Sequence, residues 1–202
     1  MEILKYLEAM RDELLKNEKK LDELDAAIGD NDHGTNICHG FKEICEKGKT
    51  KITKDSSLSD DLKFCGLTIM SKVGGSSGAI LGTALMKMSF GASTKEKYKN
   101  SDIAHMLKVG IAGIQNLGKA VPGEKTLLDA VYPAYLEFAK AKDDEPLAFD
   151  KAADAAAQGA VNTIPWIATK GRASYLGERS RGHMDPGALS VSIMFAQLKG
   201  IK

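Results

Sequence analysis

Apolar side chains recur at helical spacing along most of this chain. Ile3, Leu4, Leu7, Met10, Leu14, Leu15, Leu21, Leu24 and Ile28 follow one another at intervals of three, four and seven. That pattern predicts a long amphipathic helix ended by Gly29. A second helix is predicted from about Thr35 to Lys47, closed by Gly48. Ser57 or Ser59 caps a third that runs through Val73. The Gly74-Gly75-Ser76-Ser77-Gly78 break separates it from a fourth over residues 79–90. Ser101 and Asp102 open a fifth through Leu117, and Thr126 caps a sixth reaching about Ala141. The seventh, from Leu147 to Ile164, is rich in alanine (152, 153, 155, 156, 157, 160), which suits close helix–helix approach; the eighth spans Gly187 to Leu198. No run of alternating β-branched residues predicts a strand. Eight helices with modest connections predict an all-α antiparallel assembly.

One stretch resists this pattern. Residues 170–187, KGRASYLGERSRGHMDPG, are polar and punctuated by glycine. A structureless connection of that length is usually functional or disordered.

Composition narrows the function. The 202 residues, 43% of them hydrophobic, suit one globular domain spanning 1–202. Lys+Arg number 28 against 27 Asp+Glu, so the net charge of +1 gives no global pull toward nucleic acid or an anionic membrane. Aromatic content of 6% argues against a base-stacking surface. The charged N-terminal segment is neither a secretion signal nor a membrane span. Cys38, Cys45 and Cys65 form no CxxC pair, and the first two lie two turns apart on one helix face, as core residues do. An odd, unpaired set points to a reducing compartment, and hence to the cytoplasm.

Candidate chemistry concentrates in LDAAIGDNDHG, where Asp25, Asp30 and Asp32 fall within eight positions. Three crowded carboxylates repel one another unless a cation joins them, and hard oxygen ligands point to Mg²⁺ or Ca²⁺. An EF-hand is excluded because Gly34 stands where its third ligand belongs. Mg²⁺ completed by water and phosphate oxygens fits better, and a helix start just beyond suits an anion. The segment GKAVPGEKT, residues 118–126, nearly spells a phosphate-binding P-loop. However, Glu124 interrupts it and the preceding IAGIQNLG is helical rather than a strand, so a P-loop fold is rejected. It still offers N–H donors and the Thr126 hydroxyl at a helix start, as GGSSG offers donors at another. The 170–187 stretch brings three arginines and a histidine, and arginine suits bidentate phosphate contact. The histidines at 33, 39, 105 and 183 lack zinc-ligand spacing, and no Cys–His or Ser–His–Asp set is apparent.

Taken in order, LDAAIGDNDHGTN, GGSSGAILG, PGEKTLLDA and GRASYLGERSRGHMDPGA closely resemble the ADP-binding L subunits of bacterial dihydroxyacetone kinases, over about residues 20–190. These subunits are homologous to the ATP-binding domain of single-chain dihydroxyacetone kinases. The resemblance implies a closed barrel of eight antiparallel α-helices with nucleotide bound at one end. It assigns Asp25, Asp30 and Asp32 to two Mg²⁺ ions, which against three aspartates leave about one positive charge for a diphosphate. It assigns nucleotide contacts to His33, Gly34, Thr35, Asn36, Ser76, Ser77, Gly118, Thr126, Arg172, Asp185 and Gly187, with Arg172 also neutralising the transferred group. An apolar pocket would take the adenine.

In that family ADP (as ATP after phosphorylation) is a resident cofactor. A phosphohistidine on an M subunit phosphorylates it, and the phosphoryl group passes to dihydroxyacetone held on a K subunit. The chain is therefore expected to be a free-standing cytoplasmic phosphotransferase subunit with K and M partners. No nucleic-acid or membrane partner is expected, and a homodimer is left open. Three positions depart from the pattern: Asn31 where Gly or Ala is common, Ala79 for Pro, and His39 for Arg, which puts one phosphate-side charge in question. Alternatives with other signatures are a kinase subunit with exchangeable ATP, a metal-dependent phosphohydrolase and a non-enzymatic helical scaffold.

Overall fold

The structure is a computed structural model that describes residues 3–92 and 97–201. Eight α-helices and no strand occur among the described residues: α1 (Ile3–Ile28), α2 (His33–Lys51), α3 (Leu58–Lys72), α4 (Gly75–Gly91), α5 (Asn100–Gly118), α6 (Leu128–Lys140), α7 (Ala148–Asn162) and α8 (Pro186–Ala196). Each helix packs on the next, and α8 returns to α1, so the ring closes. Helix α8 also touches α2 and α6. That position matches its composition, which is apolar on every side as a buried helix requires.

The apolar stripes meet in two main clusters. Leu14 and Leu21 of α1 join Ile37 and Ile44 of α2 and Ile69 of α3. On the other side Leu107, Ala134, Phe138, Ala152, Ala156 and Val191 bring α5 to α8 together. Full burial of each large side chain contributes about 1.5–3 kcal/mol. Phe138 meets the edge of Phe149 at a centroid distance of 4.9 Å. The three cysteines are buried and free, with desolvation raising each thiol, to about 12 for Cys38 and Cys65 and about 11 for Cys45.

Capping sets several boundaries. Ser57 accepts from Asp60 N–H while Asp60 accepts from Ser57 N–H, a reciprocal pair that opens α3. Ser59 instead donates to the Ser89 carbonyl on α4, at 2.7 Å. Other boundaries differ from the sequence expectation. Helix α2 runs through Gly48 to Lys51. Gly48 is not a terminator there; a Cβ on it would stand 3.1 Å from Leu4 Cδ1, so it marks the close crossing of α1. Helix α4 begins at Gly75, four residues before the expected 79. The 170–187 stretch is also ordered, with a 3-10 segment over Arg172–Ser180. Gly171 enters it at φ 65°, ψ −166°, a conformation open essentially to glycine alone.

The odd-numbered helices end, and the even-numbered helices begin, at one end of the ring. At the opposite end Asn100 donates to the carbonyls of Lys142 (2.7 Å) and Glu145 (3.0 Å), tying the start of α5 to the α6–α7 connection. No helix is long and apolar enough to cross a membrane among the described residues.

Candidate functional site

The shared end encloses a cavity of about 460 Å³, within the size range of small-molecule sites. The starts of α2, α4 and α8 open onto it, so three helix N-termini present N–H groups and positive dipole ends to one space.

Asp25, Asp30 and Asp32 stand together at its rim, each with an oxygen within 4.8 Å of the others. Their backbone explains how eight positions of chain converge. Asp25 lies in the last turn of α1, where a carboxylate opposes the helix dipole. Its Oδ2, however, accepts from Asp32 N–H (2.9 Å) and His33 N–H (3.3 Å), so it caps the neighbouring helix α2. Asp32 occupies the α2 N-cap position without a side-chain cap bond, which leaves its carboxylate for other work. Gly29 has no Cβ because one would collide with Asp25 Oδ1 and lie 2.9 Å from Asp25 Cγ. Asn31 turns the loop at φ 66°, a left-handed conformation that Gly and Asn both tolerate, so the departure at this position is structurally neutral. Three hard oxygens in this cluster fit a divalent cation.

Arg172 faces the triad, with Nη1 2.7 Å from Asp30 Oδ2. It gets there because Ala173 and Ala168 pack on Ile28, at the end of α1. His33 is buried between two helices, with Nε2 3.1 Å from Ser190 Oγ of α8 and Nδ1 3.3 Å from Ser77 Oγ of α4. Burial lowers its pKa against the pull of Asp25, Asp22 and Asp32, so its ring pins the helix starts as a neutral group. Asp185 caps α8 by accepting from Ala188 N–H at 2.7 Å. Desolvation raises its carboxyl to about 7 despite that bond.

The cavity brings together Asp25, Asp30, Asp32, His33, Asn36, Ser76, Ser77, Gly118, Thr126, Arg172, Asp185 and Gly187. Gly34 and Thr35 lie outside its lining. Gly34 packs on α1, where a Cβ would stand 2.9 Å from Asp22 Oδ1. Asp22 also grips Thr35 through N–H (3.0 Å) and Oγ1 (2.8 Å), turning that side chain toward α1. His39 is exposed and also outside the lining, whereas Ala79 is part of it. Ile80, Ile114, Leu117, Ala120 and Leu127 form an apolar wall to which the sequence assigned no individual role, and Lys170 adds a cation. Helical periodicity marks Ile114 and Leu117 only as core-facing, so their second role has no local signal.

The P-loop lookalike resolves differently from its motif. Lys125 is 1% exposed and its Nζ hydrogen-bonds backbone carbonyls only. Asp129, in the first turn of α6, accepts from Gly123 N–H (2.5 Å) and Thr126 N–H (2.7 Å) and fixes the turn. Desolvation raises its pKa and these N–H bonds oppose the rise.

The chain is similar to known proteins in sequence and in fold. The chain is 40% identical over 192 residues to the ADP-binding subunit DhaL of PEP-dependent dihydroxyacetone kinase 1 from Listeria innocua, covering 95% of this chain and 91% of that one. It is 36% identical over 200 residues to the ADP-binding subunit DhaL of the Escherichia coli K12 enzyme, covering 98% and 94%. The crystal structure of the C. freundii dihydroxyacetone kinase in complex with AMP-PNP and Mg²⁺ superposes with a TM-score of 0.74 at 25% identity, across 96% of this chain and 33% of that longer one. The DAK2 domain matches residues 27–200, and the chain belongs to the DAK2 domain family.

Proposed function

We propose that the chain is a nucleotide-binding unit that holds Mg–ADP for phosphoryl transfer to dihydroxyacetone, as an ADP-binding subunit of a PEP-dependent kinase. The observation that carries this reading is the aspartate triad, with Arg172 in contact with it through Asp30, at the rim of a cavity onto which three helix N-termini open. The Listeria and E. coli relatives, ADP-binding subunits of PEP-dependent dihydroxyacetone kinases, agree with it.

Each group has a distinct task. Asp25, Asp30 and Asp32 would hold two Mg²⁺, which when bound neutralise phosphate oxygens and orient them for in-line displacement. The N–H groups of Ser76, Ser77 and Gly187 would donate hydrogen bonds to further phosphate oxygens. Ile80, Ile114 and Leu117 offer an apolar surface for adenine, and Thr126 and Asp185 supply polar contacts at its edge. Arg172, now paired with Asp30, would neutralise the transferred group. No nucleophile for the sugar is needed in this chain, because dihydroxyacetone would be held by a K partner. An M partner would return the phosphoryl group from its phosphohistidine, with the exchange taking place in the cytoplasm.

Mass spectrometry of the purified protein tests the resident nucleotide, and ADP is the expected species. Mg²⁺ with ADP at about 100 times Kd should stabilise the fold by about 2.7 kcal/mol. Asp30→Asn should abolish that gain with helix content intact. Undiminished Mg–ADP binding by this variant refutes the site, and steady nucleotide hydrolysis by the isolated chain favours a phosphohydrolase.

A further inference from the structure

Lys125 combines nearly complete burial with left-handed backbone, at φ 62°. The Asp129-bound turn sends its stem inward, where the ammonium meets the carbonyl oxygens of His183 (2.6 Å), Ser180 (2.8 Å), Thr163 (2.9 Å) and Trp166 (3.1 Å), with Ile164 at 3.5 Å. Three N–H donors serve the three shortest contacts, and the longer two complete an oxygen shell. Burial depresses the lysine pKa, and the charge of Asp185 opposes this. Every one of these carbonyls belongs to residues 163–183, the segment that carries Arg172.

We propose that Lys125 is a positioning residue for phosphoryl transfer, an internal cation around which the 163–183 segment folds so that Arg172 stands opposite the aspartate triad. The path is continuous. The Ser180 carbonyl binds the ammonium, while Ser180 Oγ accepts from Ala168 N–H (2.9 Å) and donates to the Gly177 carbonyl (2.6 Å). Gly182 N–H donates to the Ile164 carbonyl at 2.8 Å, closing the segment on itself. Ala168 and Ala173 are thereby presented to Ile28, and Arg172 to Asp30. The buried apolar support beneath the segment is confined to Ile28, Ala168 and Ala173, far less than holds the helices together. Loss of the ammonium should therefore displace the segment before it unfolds the ring.

The inference rests on the nucleotide reading above, and the wild-type chain separates the two: failure to bind Mg–ADP defeats that reading first. Trp166, the single tryptophan, offers its own carbonyl to Lys125 and reports the segment directly. Lys125→Ala is studied at a temperature where its far-UV circular dichroism matches the wild type. A red-shifted Trp166 emission is expected, with kcat in the complete phosphotransfer system down about 100-fold, the scale of a 1 Å misplacement, and KM for dihydroxyacetone unchanged. n-Propylammonium, which replaces the missing stem and its donors, should restore emission and kcat; tetramethylammonium, a cation without N–H donors, should not. Lys125→Arg guards against a misfolded alanine variant. Its planar fork cannot converge on this oxygen shell, so a folded protein with reduced kcat is expected. Wild-type kcat in Lys125→Arg or in folded Lys125→Ala overturns the proposal. Equal rescue by the two amines overturns it as well, as does full additivity with Arg172→Ala, since Lys125 would then not act through Arg172.

Discussion

Replacing Gly29 by alanine adds one methyl group and should disable the metal cluster while leaving the fold standing. The backbone of Gly29 is outside the left-handed region, so alanine meets no conformational strain there. The new Cβ would instead collide with Asp25 Oδ1 and crowd Asp25 Cγ at 2.9 Å, forcing that carboxylate to rotate. Rotation breaks its bonds to Asp32 N–H and His33 N–H, which amounts to losing the α2 cap, about 0.5–2 kcal/mol. Reduced freedom of the unfolded chain returns about 0.4–1 kcal/mol. The ligand-free protein should therefore melt within a few degrees of the wild type. The ligand-dependent gain behaves differently. At a ligand concentration about 100 times Kd it is about 2.7 kcal/mol, and a Kd raised about 100-fold reduces it to RT ln 2, about 0.4 kcal/mol. For a chain of this size those values correspond to Tm shifts of about 5–10 °C and about 1–2 °C. Thermal melts with and without Mg–ADP, paired with calorimetric titration, measure both. A Gly29→Ala protein that keeps the full Mg–ADP shift refutes the role given to Asp25.

Arg172→Ala should reduce kcat for phosphoryl transfer by about 100- to 1,000-fold and leave ADP affinity within a few fold, because the side chain meets charge that develops during transfer. Equal losses in binding and rate, measured by titration and by the coupled assay, would contradict that division. Gly66→Ala tests packing away from the cavity, since its Cβ would meet the Gly82 carbonyl and Met86 Cγ, each at 2.9 Å. It should lower Tm by several degrees, for about 1–3 kcal/mol of overpacking, and preserve the Mg–ADP shift.

The helices were legible because their stripes are long and their caps are local. Ser57 and Gly29 act within a turn of themselves, and the predicted ends at Ile28 and near Leu117 agree with α1 and α5. The aspartate cluster was legible for the same reason, since eight adjacent positions need only one loop to converge. Gly48 was misread because a glycine that admits Leu4 looks the same in sequence as one that ends a helix. Residues 170–187 looked structureless because their order comes from Lys125, which lies 38 positions before Thr163 and 58 before His183. Periodicity carries no trace of such a contact. The grip of Asp22 on Thr35, 13 residues later, is equally invisible to periodicity.

The convergence of α2, α4 and α8 on one cavity has a consequence for how the protein tolerates change. Each N-terminus carries about half a positive charge, so about 1.5 charges reside in peptide groups rather than in side chains. Those charges do not titrate, and no single substitution deletes them; only unwinding the first turn of a helix does. A near-neutral chain can thus attract a polyphosphate without a lysine-rich surface. Its outer face is free to drift in sequence while the field at the cavity stays constant.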